Sequence, residues 1–449
     1  MKKNAMKKIR YGFILIVGLF FYSMLLSASV RNIYLSSDEG KSRLGIFAKP
    51  IKFLAETTTS IYKFIQPDEF LISNADLGDG FSYLNKNDSV PYPNLLVSYK
   101  AARFDSRFEL LNINTGKSIK EWVPDSKGLY LKAFQEENPR RPPSKDSDLY
   151  FMHPLMTKDS SLIFNSQLTS LLAKINAENE LMWLKNDRIY HHTIESDSEG
   201  NIYVCTQPFI SGKFDFLPGS FESYKNTFQD DHITLLDSNS GDEIYSKSVV
   251  EILLENGFED LLLSKGQIIS DQIHLNDIQP ALEDGDFWQK GDLLVSCRNI
   301  STVFLFRPST NEILWLKHGP WYNQHDADFY DNSKIVVFGN DVIREESKID
   351  PRITNVNLSF SEKRPFNEVY LYDFEKDSIS TPYHKLMQSE EIQTVTSGRC
   401  DILESGELFI EESNQGRIII GDTNKKNIEY VKRINENYIS HLFWSRIIK

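Results

Sequence analysis

From about Leu95 onward the chain repeats one device: an alternating strand, a short polar turn, and a second strand ending in an aromatic residue. Phe108 to Ile113, the turn Asn114-Thr115-Gly116 and then Trp122 form one example. Leu171 to Asn176 with Trp183, Ile233 to Asp237 with Tyr245, and Val303 to Phe306 with Trp315 are others, and Val369 to Asp373 opens a further one. Period-two strands around Gly, Asn and Asp turns are hairpins. A second hairpin type interleaves with the first, as in Thr193 to Val204, His325 to Phe338 and Arg399 to Ile410. Two hairpins make a four-stranded unit of about 40 to 50 residues, the period of a β-propeller. The sequence therefore predicts an all-β fold, a β-propeller of about six blades over residues 91–449. Only Val249 to Leu263 reads as helical.

The N-terminus has a different character. Lys2, Lys3, Lys7, Lys8 and Arg10 precede an uncharged, mostly apolar run from Tyr11 to Val30. About 20 such residues can just cross a bilayer as a helix, and the basic flank stays cytoplasmic. Ser27-Ala28-Ser29 offers small residues for signal cleavage, whereas the unbroken apolar length favours an uncleaved anchor over residues 1–30. The expectation is a single-pass inner-membrane protein with its propeller in the periplasm, or a protein secreted there. Residues 31–90 read as a stalk, with a short amphipathic helix from Lys52 to Ile65. The Pro-rich stretch Glu136 to Ser147 reads as an exposed loop.

Acidic residues outnumber basic ones, 63 to 50, giving a net charge of -13. That field repels nucleic acid, so no nucleic-acid partner is expected, and any anionic substrate must be held by local positive charge. Cys205, Cys297 and Cys400 are widely spaced and form no C-x-x-C pair. No zinc or redox motif follows from them, and at most one disulfide could form.

Histidine and arginine concentrate in short strings at the edges of apolar runs. The sequence places His191 and His192 in one, His274 in Asp271 to Ile278, Arg298 in Leu293 to Thr302, and His325 in Asn323 to Phe329. If the chain is extended after His274, Asn276 points the same way and both donate to one anion. Arg298 would offer a planar fork suited to a tetrahedral oxyanion. Trp321 and Tyr322 would supply an aromatic wall beside His325. Blades aim their inner strands at one axis, so these strings could form a cationic pocket holding a neutral nucleophile. Taken singly, each of these residues is more often a surface or core residue. His153, His232, His318, His384 and His441 are read that way.

In order, HHTIESDSEGNIYV, HLNDI, GDLLVSCRNISTV, GPWYNQHDA and RCDILESGELFI resemble the bacterial arylsulfotransferase family, over roughly Asp187 to Asp422. The resemblance implies a six-bladed propeller that moves a sulfuryl group from a phenolic sulfate ester to a phenolic acceptor, without a nucleotide donor, through a sulfohistidine. Carried over by position, it implies His325 as the sulfated residue, His274 and Arg298 as ligands of the sulfuryl oxygens, and His192, or less favourably His191, as a further channel histidine. It implies no metal and no cofactor. The acidic insert Gln279 to Lys290 departs from the family pattern in a way that bears on substrate access; a separate β-sandwich domain and a close cysteine pair are also lacking. Monomer and homodimer stay open. The rival reading is a non-catalytic envelope scaffold, because Asn114-Thr115-Gly116-Lys117 with Trp122 also resembles quinoprotein-like propellers. Convergence of His274, Arg298 and His325 on one point would favour catalysis.

Overall fold

A computed structural model describes residues 16–30, 50–51, 71–73, 77–84, 90–91, 93–102, 105–134, 149–167, 169–209, 214, 228–263, 266, 268–343 and 364–448. The expected helix Lys52 to Ile65 and loop Glu136 to Ser147 lie outside these residues. The chain divides into two units, Met1–Asp68 and Glu69–Lys449. In the first, residues 16–30 are helical. Among the described residues no helix is long and apolar enough to cross a membrane; residues 11–15 of the expected span lie outside them.

Among the described residues the second unit is a ring of six antiparallel sheets, five with four strands and one with five, plus a two-stranded ribbon. Blade 1 runs Arg446–Ile448, Asn94–Ala102, Asp105–Asn112, Lys117–Trp122. Blade 2 runs Phe151–Met156, Leu162–Ser166, Leu172–Ile175, Leu181–Lys185. Blade 3 is Ile189–Ser196, Ile202–Gln207, His232–Leu236, Glu243–Ser248, and blade 4 is Leu275–Pro280, Leu293–Cys297, Thr302–Arg307, Glu312–His318. Blade 5 is Asp326–Asp331, Lys334–Gly339, Glu368–Asp373, Ser378–Ser380. Blade 6 is Arg399–Ile402, Leu408–Glu412, Arg417–Gly421, Lys426–Val431 and, outermost, Gly80–Tyr83. The aromatic-ending hairpins of the sequence are the outer strand pairs, and the interleaved hairpins are the inner pairs.

Two strands correct the expected stalk. Gly80–Tyr83 completes blade 6, and Leu71–Ser73 pairs with Tyr438–Ser440. Strands this short, four and three residues long, carry too little alternation to show in sequence. Helices at Val249–Glu255 and Glu259–Leu263 match the one helical stretch expected, interrupted near Gly257. Ser126–Ala133 and His384–Ser389 are short helices that the sequence reading lacked.

The core is not one mass but a series of layers between blades. Leu293 and Val295 pack toward blade 3 with Tyr203 and Ile233, while Leu294 between them packs toward blade 5 with Ile335 and Val337. On the next strand pair Val336 and Phe338 turn the other way, onto Cys400, Leu408 and Ile410 of blade 6. A strand buried on both faces reads as an unbroken apolar run such as Leu293-Leu294-Val295, because successive side chains point to opposite sides. Each such side chain removed from water stabilises the ring by about 1.5 to 3 kcal/mol. The three cysteines are free and buried in these layers.

Polar ties lock neighbouring blades at their inner strands. Asp231 Oδ2 accepts from Leu275 N, Asp277 Oδ2 from Ala327 N, and Asp326 Oδ2 from Cys400 N, each at 2.8 Å. Glu411 Oε1 accepts from Trp444 N at 2.9 Å and closes blade 6 onto blade 1. Arg446 of blade 1 reaches Pro154 O of blade 2 at 2.9 Å, and Glu195 and Ile194 O of blade 3 at 2.8 and 2.7 Å. One side chain can touch three blades only near the axis of the ring.

Candidate active site

In or just before each inner strand one residue leaves the strand conformation. His153, His192, His274, Asn323, Ser397 and Trp444 have φ of 52°, 52°, 58°, 49°, 62° and 68°. Left-handed backbone at a non-glycine residue costs roughly 1 to 3 kcal/mol. The fold repeats it at the same place in all six blades, and three of the six residues are histidines. Strand pairing is irregular at the same points, with register shifts between Met152 and Leu155, His191 and Ile194, and Leu275 and Asp277.

These entries bring distant histidines together. The ring centroids of His192 and His274 are 4.9 Å apart, those of His192 and His325 6.1 Å, and those of His274 and His325 6.4 Å. One nitrogen from each of the three lies within 4.8 Å of the others. Arg298 is fixed beside them: its backbone N donates to His274 O at 3.0 Å, and its Nη1 to Asn299 Oδ1 at 2.9 Å.

Every ring in the cluster has a partner behind it. His325 Nδ1 lies 2.5 Å from Asn340 Oδ1 and 3.1 Å from Asn323 O. Both are acceptors, so Nδ1 carries the proton and Nε2 keeps its lone pair. His274 Nδ1 lies 2.5 Å from Asp271 Oδ2. His192 Nδ1 lies 2.8 Å from His191 Nδ1, and His191 Nε2 lies 3.3 Å from Asp231 Oδ1. His192 N donates to Gln167 Oε1 at 2.9 Å, which turns the Gln167 amide nitrogen toward His192 Nε2 at 3.4 Å; Nε2 of His192 is then the acceptor and Nδ1 carries the proton toward His191 Nδ1.

Electrostatics agree with this proton pattern. Burial, then the Arg298 guanidinium and His274, lowers His325 to about 3, so the ring is neutral at pH 7. Burial, with the neighbouring histidines, also holds His192 well below the ordinary histidine value. Burial pushes Asp271 up, but the hydrogen bond and charge of His274, with His191 and Arg298, outweigh it and keep the carboxyl below its usual range.

The family profile described as Arylsulfotransferase (ASST) matches residues 153–433, more than half of the 449 residues. The chain belongs to the arylsulfotransferase family. Comparison with curated proteins gives no match. Among solved structures, a protein of unknown function from Bacteroides caccae is 12% identical with a TM-score of 0.45, over 78% of this chain and 98% of that one. Hydrazine synthase of Kuenenia stuttgartiensis is 9% identical with a TM-score of 0.40, over 76% and 80% of the two chains.

Within this arylsulfotransferase-family chain, the structure gathers His192, His274 and His325, with Arg298 beside them, and sends other expected site residues elsewhere. Asn276 is fully buried; its Nδ2 donates to Gln324 O at 2.6 Å and its Oδ1 accepts from Ser296 Oγ at 2.8 Å. Both arms of the amide join blades 4 and 5, so it is not an anion donor. The left-handed turn at His274 and the irregular pairing after it break the alternation that had put the two residues on one side. Trp321 is fully buried in the layer between blades 4 and 5, edge-on to Tyr370, and is a core residue rather than a pocket wall. Tyr322 is 42% exposed and packs under the Arg364 guanidinium. His191 stands behind His192 rather than with the triad. The acidic insert connects the far end of Leu275–Pro280 to Leu293–Cys297. Six residues of strand put it about 20 Å from His274, which corrects its expected bearing on access.

Sequence reading passed over four residues that complete the site. Asp271 and Asn340 hold the rings of His274 and His325. Asp231 backs the His191–His192 pair. His153, set aside as ordinary, lies with its ring 6.3 Å from His192 and 4.8 Å from Trp444. The signal for His153 was its place in the repeat: Phe-Met-His-Pro opens blade 2 as Tyr-His-His-Thr opens blade 3.

Proposed function

We propose that this protein transfers a sulfuryl group from an aryl sulfate to a phenol through His325. The observation that carries the reading is the His325 ring itself: Nδ1–H is held by Asn340 Oδ1, the ring is neutral, and one of its nitrogens lies within 4.8 Å of a nitrogen of His192 and one of His274. A neutral imidazole nitrogen is a competent nucleophile near pH 7.

In the first half-reaction the Nε2 lone pair forms a bond to sulfur as the bond from sulfur to the aryl oxygen breaks. The phenolate leaves and takes a proton from a flanking imidazole. His274 suits that step, since the Asp271 carboxylate behind it stabilises the ring when charged. The sulfated His325 ring keeps Nδ1–H and gains positive charge, which strengthens its hydrogen bond to Asn340. Arg298 and His274 face the oxygens where negative charge spreads, and a fixed donor there lowers a barrier by about 3 to 4 kcal/mol. In the second half an acceptor phenol gives its proton back to the same imidazole, its oxygen attacks sulfur, and the bond to Nε2 breaks. No nucleotide is consumed. The convergence of the histidines supports this reading over the scaffold.

The test is exposure of the purified chain to 4-nitrophenyl sulfate followed by peptide mass spectrometry. A sulfuryl adduct on the His325 peptide, discharged by added phenol, is the expected result. Full transfer by His325→Ala would overturn it. The N-terminal run is proposed to anchor the chain with the propeller in the periplasm; protease added to intact spheroplasts should then digest the propeller.

A further inference from the structure

We propose that His192, His274 and His325 form a binding site for one divalent transition-metal ion of the zinc and copper class, in the space the sulfuryl group would otherwise use. The proton pattern of the site creates the opportunity. His325 Nδ1 faces only acceptors and His274 Nδ1 faces Asp271. His192 Nδ1 faces His191, which in turn faces Asp231. Each ring therefore spends one nitrogen on an anchor and keeps the other for the cluster, where that of His192 also lies 3.4 Å from Gln167 Nε2, a long contact that an ion would displace. His192 and His325 hold lone pairs already, and His274 offers one once it releases the proton of its outer nitrogen, as metal binding to histidine requires; the three then converge on an electron-poor centre. A sulfur atom is one such centre and a metal ion is another.

The dimensions suit the ion. At a zinc–nitrogen distance of about 2.0 to 2.1 Å, tetrahedral geometry puts ligand nitrogens roughly 3.3 Å apart. The three nitrogens here are within 4.8 Å of one another, so they must close by about 1.5 Å or less, a movement that small side-chain rotations supply. Three protein ligands leave the fourth position of a tetrahedral ion for water or substrate, as in three-histidine catalytic zinc sites. Imidazole donors favour zinc, copper and nickel over magnesium or calcium. The outer shell is also of the right kind: a carboxylate directly behind His274, an amide oxygen behind His325, and a carboxylate reached through a second imidazole behind His192. Asp271 Oδ1 is buried without a hydrogen-bond partner, which leaves negative charge unspent near the cluster. Arg298 opposes the ion with one positive charge; Asp271 and Asp231 together outweigh it.

The experiment is calorimetric titration of the full chain, carrying no histidine tag and stripped of metal, with Zn²⁺ alone. One ion per chain is expected. His192→Ala, His274→Ala and His325→Ala should each weaken binding at least tenfold, while His318→Ala, on an outer strand, should leave it unchanged. Asp271→Asn keeps the ring of His274 in place and should weaken binding about 10- to 100-fold, which covers the case where an alanine variant fails to fold. Binding weaker than roughly 1 mM, or binding untouched by the three alanine variants, would overturn the site. These readings need no donor and stand apart from the transfer reaction. Where transfer is active, Zn²⁺ should raise the donor KM and leave kcat unchanged; a fall in kcat at constant KM would place the ion elsewhere and also count against the proposal.

Discussion

His325 Nδ1 lies 2.5 Å from Asn340 Oδ1, and the Asn340 amide cannot turn over, because its Nδ2 donates to Thr394 O and Ser397 O, both at 2.8 Å. Three elements thus fix which nitrogen of His325 faces the cluster. Asn340 touches no substrate in this arrangement; it is a positioning residue. Hydrogen bonds to a charged partner contribute about 1.5 to 3 kcal/mol, so Asn340→Ala should lower kcat roughly 10- to 100-fold and leave the donor KM nearly unchanged. Steady-state kinetics with an aryl sulfate decides this. A kcat within twofold of the parent would mean that the ring is held by packing alone.

Burial and the Arg298 and His274 charges hold His325 at about 3, while an unfolded histidine titrates near 6.5. Between these values the unfolded chain binds a proton that the folded chain refuses. Stability from this residue is therefore complete above about pH 6.5 and is lost as pH falls toward 3, by an amount on the order of 5 kcal/mol. His325→Gln cannot titrate, so its unfolding free energy should decline less steeply than the parent's as pH is lowered from about 6.5 to 4. Denaturant melts at a series of pH values measure the two slopes. Equal slopes would remove the claim that this imidazole is kept neutral.

Much of the architecture was legible in the residues because propeller strands obey period two and turns have a narrow chemistry. Leu293-Leu294-Val295 announced a strand buried on both faces, and Asn114-Thr115-Gly116 announced its turn. His325, His274 and Arg298 were legible as a group because their strings recur in order. The register inside the site was not. His274 adopts φ of 58°, a conformation that nothing in its own side chain favours, and this one angle sends Asn276 into the blade interface. Trp321 and Tyr322 adjoin His325 in sequence, but one faces the apolar layer and the other faces solvent. Asn340 and Asp231 were invisible because each belongs to the site only through an inner-strand neighbour. Gly80–Tyr83 was hidden because its partner lies some 350 residues away, at Lys426–Val431.

Asp277 behaves in the opposite sense to His325. Burial, joined by the charges of Asp328 and Glu195, raises its carboxyl well above the usual range, and the bond from Ala327 N offsets only part of this. The folded chain then keeps a proton that an unfolded aspartate releases near pH 4. Stability from Asp277 is complete below that pH and is lost as pH rises through the window between the two values. Asp277→Asn retains an oxygen for Ala327 N and has no proton to lose. Its melting temperature relative to the parent should climb as pH is raised from about 4 to 8. A constant offset across that range would show that Asp277 ionises normally in the fold.

Asn276 and Arg298 offer a separation of structure from chemistry within one blade. Asn276 spans blades 4 and 5 through Gln324 O and Ser296 Oγ, and it is fully buried. Asn276→Ala leaves two buried groups without their partners, at about 1 to 3 kcal/mol for each, so urea unfolding should show a loss of roughly 2 to 4 kcal/mol. The protein that stays folded should retain its donor KM. Arg298 is only half-buried, and its Nη1 donates to Asn299 Oδ1 within its own blade at 2.9 Å. Arg298→Ala should therefore melt within a few degrees of the parent yet transfer about 100- to 1000-fold more slowly, the loss typical of one fixed donor to developing negative charge. If Asn276→Ala instead raised the donor KM at unchanged stability, the amide would be a substrate ligand after all.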